Sequence, residues 1–234
     1  AAALLAKMTA DLDRLSGGRL SVGIGIGGEN PTEFDAAGVL RTQRGARTDE
    51  ALAVLRALWS GDEVSFEGRF TRFAGGRLQP PPAQPGGPPI WVAGRADAAI
   101  RRAARMGDVW YPYLYTPERL SRSLELLRAT EAEVGRGPGS VRTATHLFVN
   151  AGPDGHAAHR TAVEAASATY QTDFNGPPGR YLVTGTPGEV VRRLREYVDA
   201  GAQVLTLQPA CGAPEAPAHS RRLGEEVVPA LTGA

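Results

Sequence analysis

The sequence predicts an α/β fold built on a parallel sheet. Short apolar runs alternate with amphipathic stretches at helical spacing, above all from Ile90 to the end of the chain. Glycine, or Thr-Pro, marks the points where one kind of segment gives way to the other. Strands separated by helices run parallel, because each crossover returns the chain to the same end of the sheet. With 234 residues, the chain is long enough for one large domain or two small ones with a sizeable core. We read five core strands, starting near Leu20, Ile90, Val109, Val141 and Gln203. Five such strands can form an open doubly wound sheet or most of an eight-stranded barrel, and spacing leaves both open.

The elements follow in order. Leu4, Leu5, Met8, Leu12 and Leu15 recur at helical spacing up to Gly17-Gly18, a C-terminal stop. The chain lacks an initiator Met, so it is expected to begin inside a helix. Leu20 to Ile26 is the first strand, with Val22, Ile24 and Ile26 on one side and small residues on the other. Arg47 to Trp59 is a helix, its stripe formed by Ala51, Leu52, Leu55, Leu58 and Trp59. Asp49 and Glu50 stand in its first half, where the helix dipole favours acids. "EVSFEGRFTRF" alternates about Glu67-Gly68 and reads as a small hairpin within residues 62–74. "QPPPAQPGGPP" then makes a rigid, extended approach to the buried strand Ile90 to Ala93 rather than a linker between domains. Asp97 to Met106 is a helix, Val109 to Tyr113 a strand, Pro117 to Val134 a helix, Val141 to Asn150 a strand and Asp154 to Tyr170 a helix. A Gly/Pro-rich loop covers Gln171 to Arg180. "GTPGEVVRRLREYVDAGA" carries Thr186 as cap, Pro187 at the first helical position and a stop at Gly201. Gln203 to Leu207 is the last strand, and a terminal helix runs from about Ala216 to Leu231.

Charge excludes some functions. Basic residues number 26 against 25 acidic, so no net field draws the chain to nucleic acid or to an acidic membrane surface. Cys211 is the only cysteine, which excludes an intramolecular disulfide and a thiolate-rich zinc site and fits a reducing cytoplasm. No run approaches the roughly 20 apolar residues of a membrane span. The opening segment carries acids and lacks a cleavage pattern, so it does not read as a signal peptide.

Parallel α/β folds place ligands at the carboxyl ends of their strands, and three such ends stand out. In "GIGIGGEN", Gly23, Gly25, Gly27 and Gly28 let a flat ligand approach the backbone, while Glu29 and Asn30 supply polar groups at the rim. The match to a dinucleotide fingerprint is poor, since no helix follows at once. In "WVAGRADAAIRRAARMGD", the strand ends at Ala93, and Gly94, Arg95 and Ala96 turn into a helix whose first amides face any anion placed there. Arg95 would add a mobile positive charge suited to a phosphate monoester, unless Asp97 caps the helix itself. In "TGTPGEVV", Thr186 and Pro187 are what any capped helix needs, so helix capping is the plainer reading. His156 and His159 suit a solvated helix face, and His146 suits a structural role within a strand. No G-x-S-x-G elbow, P-loop or H-E-x-x-H occurs. Either a cofactor performs the chemistry or the acting residues are absent.

Four stretches, in order, resemble the bacterial luciferase-like monooxygenase superfamily: "LDRLSGGRLSVGIGIGGENPTEFDAAGV", "RGARTDEALAVLRALWSGDEVSFEGRFTRF", "PPIWVAGRADAAIRRAARMGDVWYPY" and "GTPGEVVRRLREYVDAGAQVLTL". They resemble most its actinobacterial branch of flavin- or deazaflavin-dependent oxidoreductases. The resemblance implies a (β/α)8 TIM barrel that uses FMN or coenzyme F-420, with the ring over the carboxyl ends of the strands. On this pattern the chain is a single domain, residues 1–234, forming the C-terminal part of the barrel with strands four to eight present. The implied cofactor neighbours are Ala93, Gly94, Arg95 and Ala96 at the phosphate turn, and Gly25, Gly27, Glu29 and Asn30 beside the ring. One extra residue before the "EF" pair puts the match of Glu29 in doubt. The catalytic groups would fall in the absent part. The implied activity is hydride transfer or oxygen activation on a small organic substrate, in the cytoplasm, with a homodimer left open. The alternative is a non-catalytic relative that needs a partner chain to complete the barrel.

Overall fold

The computed structural model describes residues 1–28 and 30–233. Helix α1 (Ala2–Leu15) leads to β1 (Val22–Ile24), a short α2 (Pro31–Ala36) and α3 (Arg44–Trp59). The hairpin β2 (Glu63–Glu67) and β3 (Arg72–Arg77) follows, antiparallel as expected. Next come β4 (Ile90–Ala93), α4 (Asp97–Met106), β5 (Val109–Tyr111), α5 (Pro117–Glu133), β6 (Arg142–Ala151) and α6 (Gly155–Tyr170). The chain then runs through β7 (Leu182–Gly185), α7 (Pro187–Asp199) and β8 (Val204–Pro209). It closes with α8 (Ala216–Arg222), a π-helical turn over Leu223–Val227, and α9 (Val228–Thr232).

The sheet is parallel and six-stranded, ordered β1-β4-β5-β6-β7, with β8 also on β6. Pairing along β6 explains how one strand takes three neighbours. The amides of Arg142 and His146 donate to the carbonyls of Asp108 and Pro112, on the β5 side. The amide of Gly152 donates to the Gly185 carbonyl on that same side, because alternate residues of a strand point one way. The carbonyls of Thr143 and Val149 face the other way and accept from Gln203 and Ala210, which frame β8. β5 therefore occupies the first half of one edge of β6, and β7 the second half. Strands β1, β4, β5, β6 and β8 are the five expected core strands. β7 is an addition that the sequence reading left between a loop and a helix cap, since four residues are too few to show a period. Among the described residues, β1 and β8 each pair with one strand only.

One face of the sheet is packed beneath helices. Ile90, Val92, Trp110, Leu147 and Val149 point into that layer and are at most 1% exposed. The opposite face carries Trp91, Ala93, Tyr111 and His146, all half-buried. Trp59 fixes α3 on α1 by donating from Nε1 to the Ala6 carbonyl at 3.1 Å. Asp13, fully buried at the end of α1, accepts from the Gln84 amide at 2.8 Å and from its side chain at 2.7 Å. That pair anchors the Pro-rich segment as an approach to β4. Buried Glu131 organises the α5–β6 turn by accepting from Gly139, Ser140 and Val141.

Candidate functional site

At the carboxyl ends of β1 and β4 lies a cleft of about 710 Å³. Its wall contains Gly25, Gly27, Ala93, Gly94, Arg95 and Ala96, together with Arg44, Tyr113 and Arg119. With Gly28, which also lines it, seven residues singled out from the sequence thus meet in one place. Asn30 does not join them: its Oδ1 accepts from the Thr32 amide and caps α2. The expectation for Glu29 lies outside the described residues.

The turn from β4 to α4 is held from behind. Trp110 Nε1 donates to the Gly94 carbonyl at 3.2 Å, while Tyr115 Oη and Arg119 Nη2 both donate to the Arg95 carbonyl at 2.9 Å. Tyr115 is itself steadied by Tyr197, whose hydroxyl donates to the Tyr115 carbonyl at 2.8 Å. Burial pushes the Tyr197 hydroxyl up to about 12, so it stays a donor at any physiological pH. With its carbonyls engaged, the turn leaves its amides facing outward. Ala96 is the N-cap of α4 and offers no capping side chain, and Asp97 makes no capping bond either. Among the described residues, the amides of Ala96, Asp97 and Ala98 have no acceptor. Gly94 has φ +144°, and a Cβ there would stand 2.6 Å from that of Ala99, so the turn demands glycine.

The floor and sides complete the site. A Cβ added at Gly23 or Gly25 would meet nothing within 4 Å, leaving flat backbone over which a planar group can lie. Three guanidinium groups stand around the cleft and no carboxylate lines it among the described residues. The Arg95 guanidinium sits 5.0 Å from the centre of the Tyr113 ring. Arg44 donates to the Gly28 carbonyl at 2.8 Å, which fixes it at the rim. Uncapped amides, arginines and a bare floor suit a flat, phosphate-bearing ligand. Arg44, Arg119 and Tyr113 were not found from the sequence. They come from α3, from α5 and from the residues just after β5, and no local motif links them.

Beyond Ala93 the open face carries an edge-to-face series of rings. Trp91 meets Tyr111 at 5.4 Å, Tyr111 meets His146 at 5.9 Å, His146 meets Phe148 at 4.9 Å and Phe148 meets Tyr170 at 5.6 Å. Phe148 and Leu182 pack with Ala162, Val163 and Ala166 of α6, and Tyr170 and Phe174 join that cluster. Burial raises the Tyr170 hydroxyl, as does nearby Tyr113, against an opposing pull from Arg95. His156 and His159 are exposed, and His159 Nδ1 pairs with Thr184 Oγ1 at 2.9 Å.

A parallel α/β half-barrel with an arginine-lined cleft at its strand ends is the class that this fold and site define. Residues 1–204 match the model of the luciferase-like monooxygenase family, and the chain belongs to that family. Among curated relatives, a phthiodiolone/phenolphthiodiolone dimycocerosates ketoreductase of Mycobacterium bovis is 35% identical over 145 residues, covering 61% of this chain and 38% of the relative. The chain spans less than half the length of the curated relatives it matches. Among solved structures, an F-420-dependent secondary alcohol dehydrogenase in complex with an F-420–acetone adduct superposes with TM-score 0.82 at 20% identity, covering 98% of this chain and 75% of that one. The oxygenating constituent of 3,6-diketocamphane monooxygenase from Pseudomonas putida, in complex with FMN, does so with TM-score 0.74 at 19% identity, covering 99% and 76%. The structural neighbours use coenzyme F-420 or FMN. Among the described residues, no helix is long and apolar enough to cross a membrane.

Proposed function

We propose that this chain is the cofactor-holding part of a flavin- or deazaflavin-dependent oxidoreductase acting on a small organic substrate. The observation that carries the reading is the cleft at Gly94-Arg95-Ala96. There an uncapped helix start, three arginines and a glycine floor converge, and the turn is braced from behind by Trp110, Tyr115 and Arg119. FMN and coenzyme F-420 each join a planar ring system to a phosphate, and the residues present fit both. The amides of Ala96 to Ala98 and the Arg95 guanidinium would hold the phosphate, and Gly25 and Gly27 would lie under or beside the ring. When bound, such a group supplies hydride transfer or oxygen activation. The chain's own contribution is to anchor, to orient and to place the aromatic face of β4, β5 and β6 beside the reacting centre. The ketoreductase relative and the alcohol dehydrogenase neighbour favour F-420 and an alcohol–ketone couple over oxygen chemistry.

Strands β1, β4, β5, β6 and β8 stand as strands four to eight of the barrel in this reading. The single partners of β1 and β8 support it, as does the coverage of only 75% of the dehydrogenase neighbour. The same two edges favour a second reading, in which a non-catalytic binding relative pairs them with another chain. Fluorescence titration of the purified protein with F-420 and with FMN tests the main proposal. Saturable binding that is weakened in Arg95→Ala is expected. Absence of binding by both cofactors would overturn it, and binding without turnover by a protein that also carries the preceding barrel strands would favour the second reading.

A further inference from the structure

The open face contains one polar pair within its row of rings. Tyr111 Oη lies 3.0 Å from His146 Nδ1, and the Gln208 side chain of β8 lies near the same imidazole. Tyr111 is the parallel-strand partner of Ala93, which lines the cleft, so its phenol stands on the strand next to the cofactor turn. Both residues are half-buried, which leaves each an edge towards the open side. The groups facing the imidazole are Tyr111 from β5, Gln208 from β8 and the Phe148 ring from its own strand, none of them charged. Burial lowers the basicity of His146, although Gln208 pulls the other way, so the ring rests neutral and able to accept.

Resting on the function proposed above, we propose that Tyr111 is a catalytic residue that handles the proton of an alcohol–ketone couple, with His146 as its positioning residue and proton store. In this relay the neutral ring carries its proton on Nε2, so Nδ1 is the acceptor and the tyrosine O–H is its donor. That leaves a lone pair on Tyr111 Oη for the hydroxyl of a bound secondary alcohol. In the oxidising direction the alcohol O–H proton passes to Tyr111 Oη as the tyrosine proton passes to His146 Nδ1. The carbon–oxygen single bond becomes a carbonyl as the C–H bond breaks, and its hydride goes to an oxidised flavin or deazaflavin. Reduction runs the same transfers backwards and consumes the imidazolium proton. The flanking rings of Trp91, Phe148 and Tyr170 make the surroundings largely apolar, so the substrate class is a hydrophobic secondary alcohol or its ketone, hydrogen-bonded at Tyr111 Oη.

The ring itself gives a test independent of turnover. In protein labelled with ¹⁵N-histidine, the His146 signals, assigned through His146→Gln, should show the Nε2–H tautomer. Added cyclohexanol should shift ¹⁵Nδ1 saturably. Tyr111→Phe should weaken that response at least tenfold, while titrations with FMN and F-420 stay within twofold of wild type. An Nδ1–H tautomer in the wild-type protein overturns the relay, whether or not the variant folds. So does a wild-type ring that ignores cyclohexanol, or a response that Tyr111→Phe leaves undiminished. Failure of both cofactors to bind the wild-type protein overturns the underlying function and the relay with it, and is read by fluorescence apart from the ring.

Discussion

Two turns in this molecule share one backbone device and use it differently. Gly94 directly follows β4 and Gly185 ends β7, each with φ +144°, and each leads within three residues into a helix. At Gly185 the helix start is satisfied by its own residues. Thr186 and Glu189 form a capping box, with Glu189 Oε2 accepting from the Thr186 amide at 2.7 Å. The Glu189 carboxyl is held below its usual value, mainly by that backbone bond. At Gly94 the corresponding cap is Ala96, and the amides remain open to a ligand. The lesson is that a glycine before a helix does not by itself leave the helix start open; the absence of a cap does.

The largest effect should come from the glycines. Gly94→Ala forces a methyl to within 2.6 Å of Ala99 Cβ at an unfavourable φ. A stability loss of about 2–4 kcal/mol is expected in urea unfolding. Gly185→Ala meets Glu189 instead and should cost a comparable amount, but only Gly94→Ala should also abolish cofactor binding. Equal binding defects in the two variants would break the contrast.

Next in size, Arg95→Ala should weaken cofactor binding by roughly 1–3 kcal/mol, the scale of a hydrogen bond to a charged group, with little change in unfolding midpoint. Smaller still are exchanges of caps. Thr186→Ala should lose about 1 kcal/mol of stability and leave binding alone. Ala96→Asp should do the reverse, gaining up to about 1 kcal/mol by capping α4 while its carboxylate expels the anion. A stabilised Ala96→Asp variant that still binds would place the phosphate elsewhere.

The smallest effect is on pH dependence. His219 is 6% exposed, sits against the β6–β7 end and accepts from the Ala151 amide through Nε2 at 3.3 Å. Burial lowers its basicity, and Arg222 adds to that. The unfolded chain takes up this proton near pH 6.5, where the folded chain resists it. The stabilising contribution is therefore full above about pH 6.5 and is lost as pH falls from there towards the lower folded value. His219→Gln should flatten part of that slope in unfolding curves measured between about pH 5 and 7, and an unchanged slope would assign it to other groups.

Much of this architecture was legible in the sequence because it rests on local chemistry. Thr116 and Thr186, each followed by proline, announced α5 and α7, and Asp154 caps α6. The alternation about Glu67-Gly68 announced the hairpin, although its second strand begins later, at Arg72. The turn at Gly94–Ala96 was legible as well, since glycine, arginine and a helix start lie side by side in the chain. Arg44, Tyr113 and Arg119 were not, because they converge only after α3, β5 and α5 pack around β4. His146 read as a structural histidine for the same reason: Tyr111 and Gln208 lie 35 and 62 residues away along the chain, and only parallel pairing sets them beside it.

The sequence by itself determined the alternation of strands and helices, their caps and the glycine turn at residue 94, because each depends on residues within a few positions of one another. Tertiary structure alone decided that β7 shares an edge of β6 with β5, that one glycine turn is open and the other filled, that three arginines line a single cleft, and that a row of rings covers the open face of the sheet. Those outcomes depend on register and packing between distant segments, which no window of the chain contains.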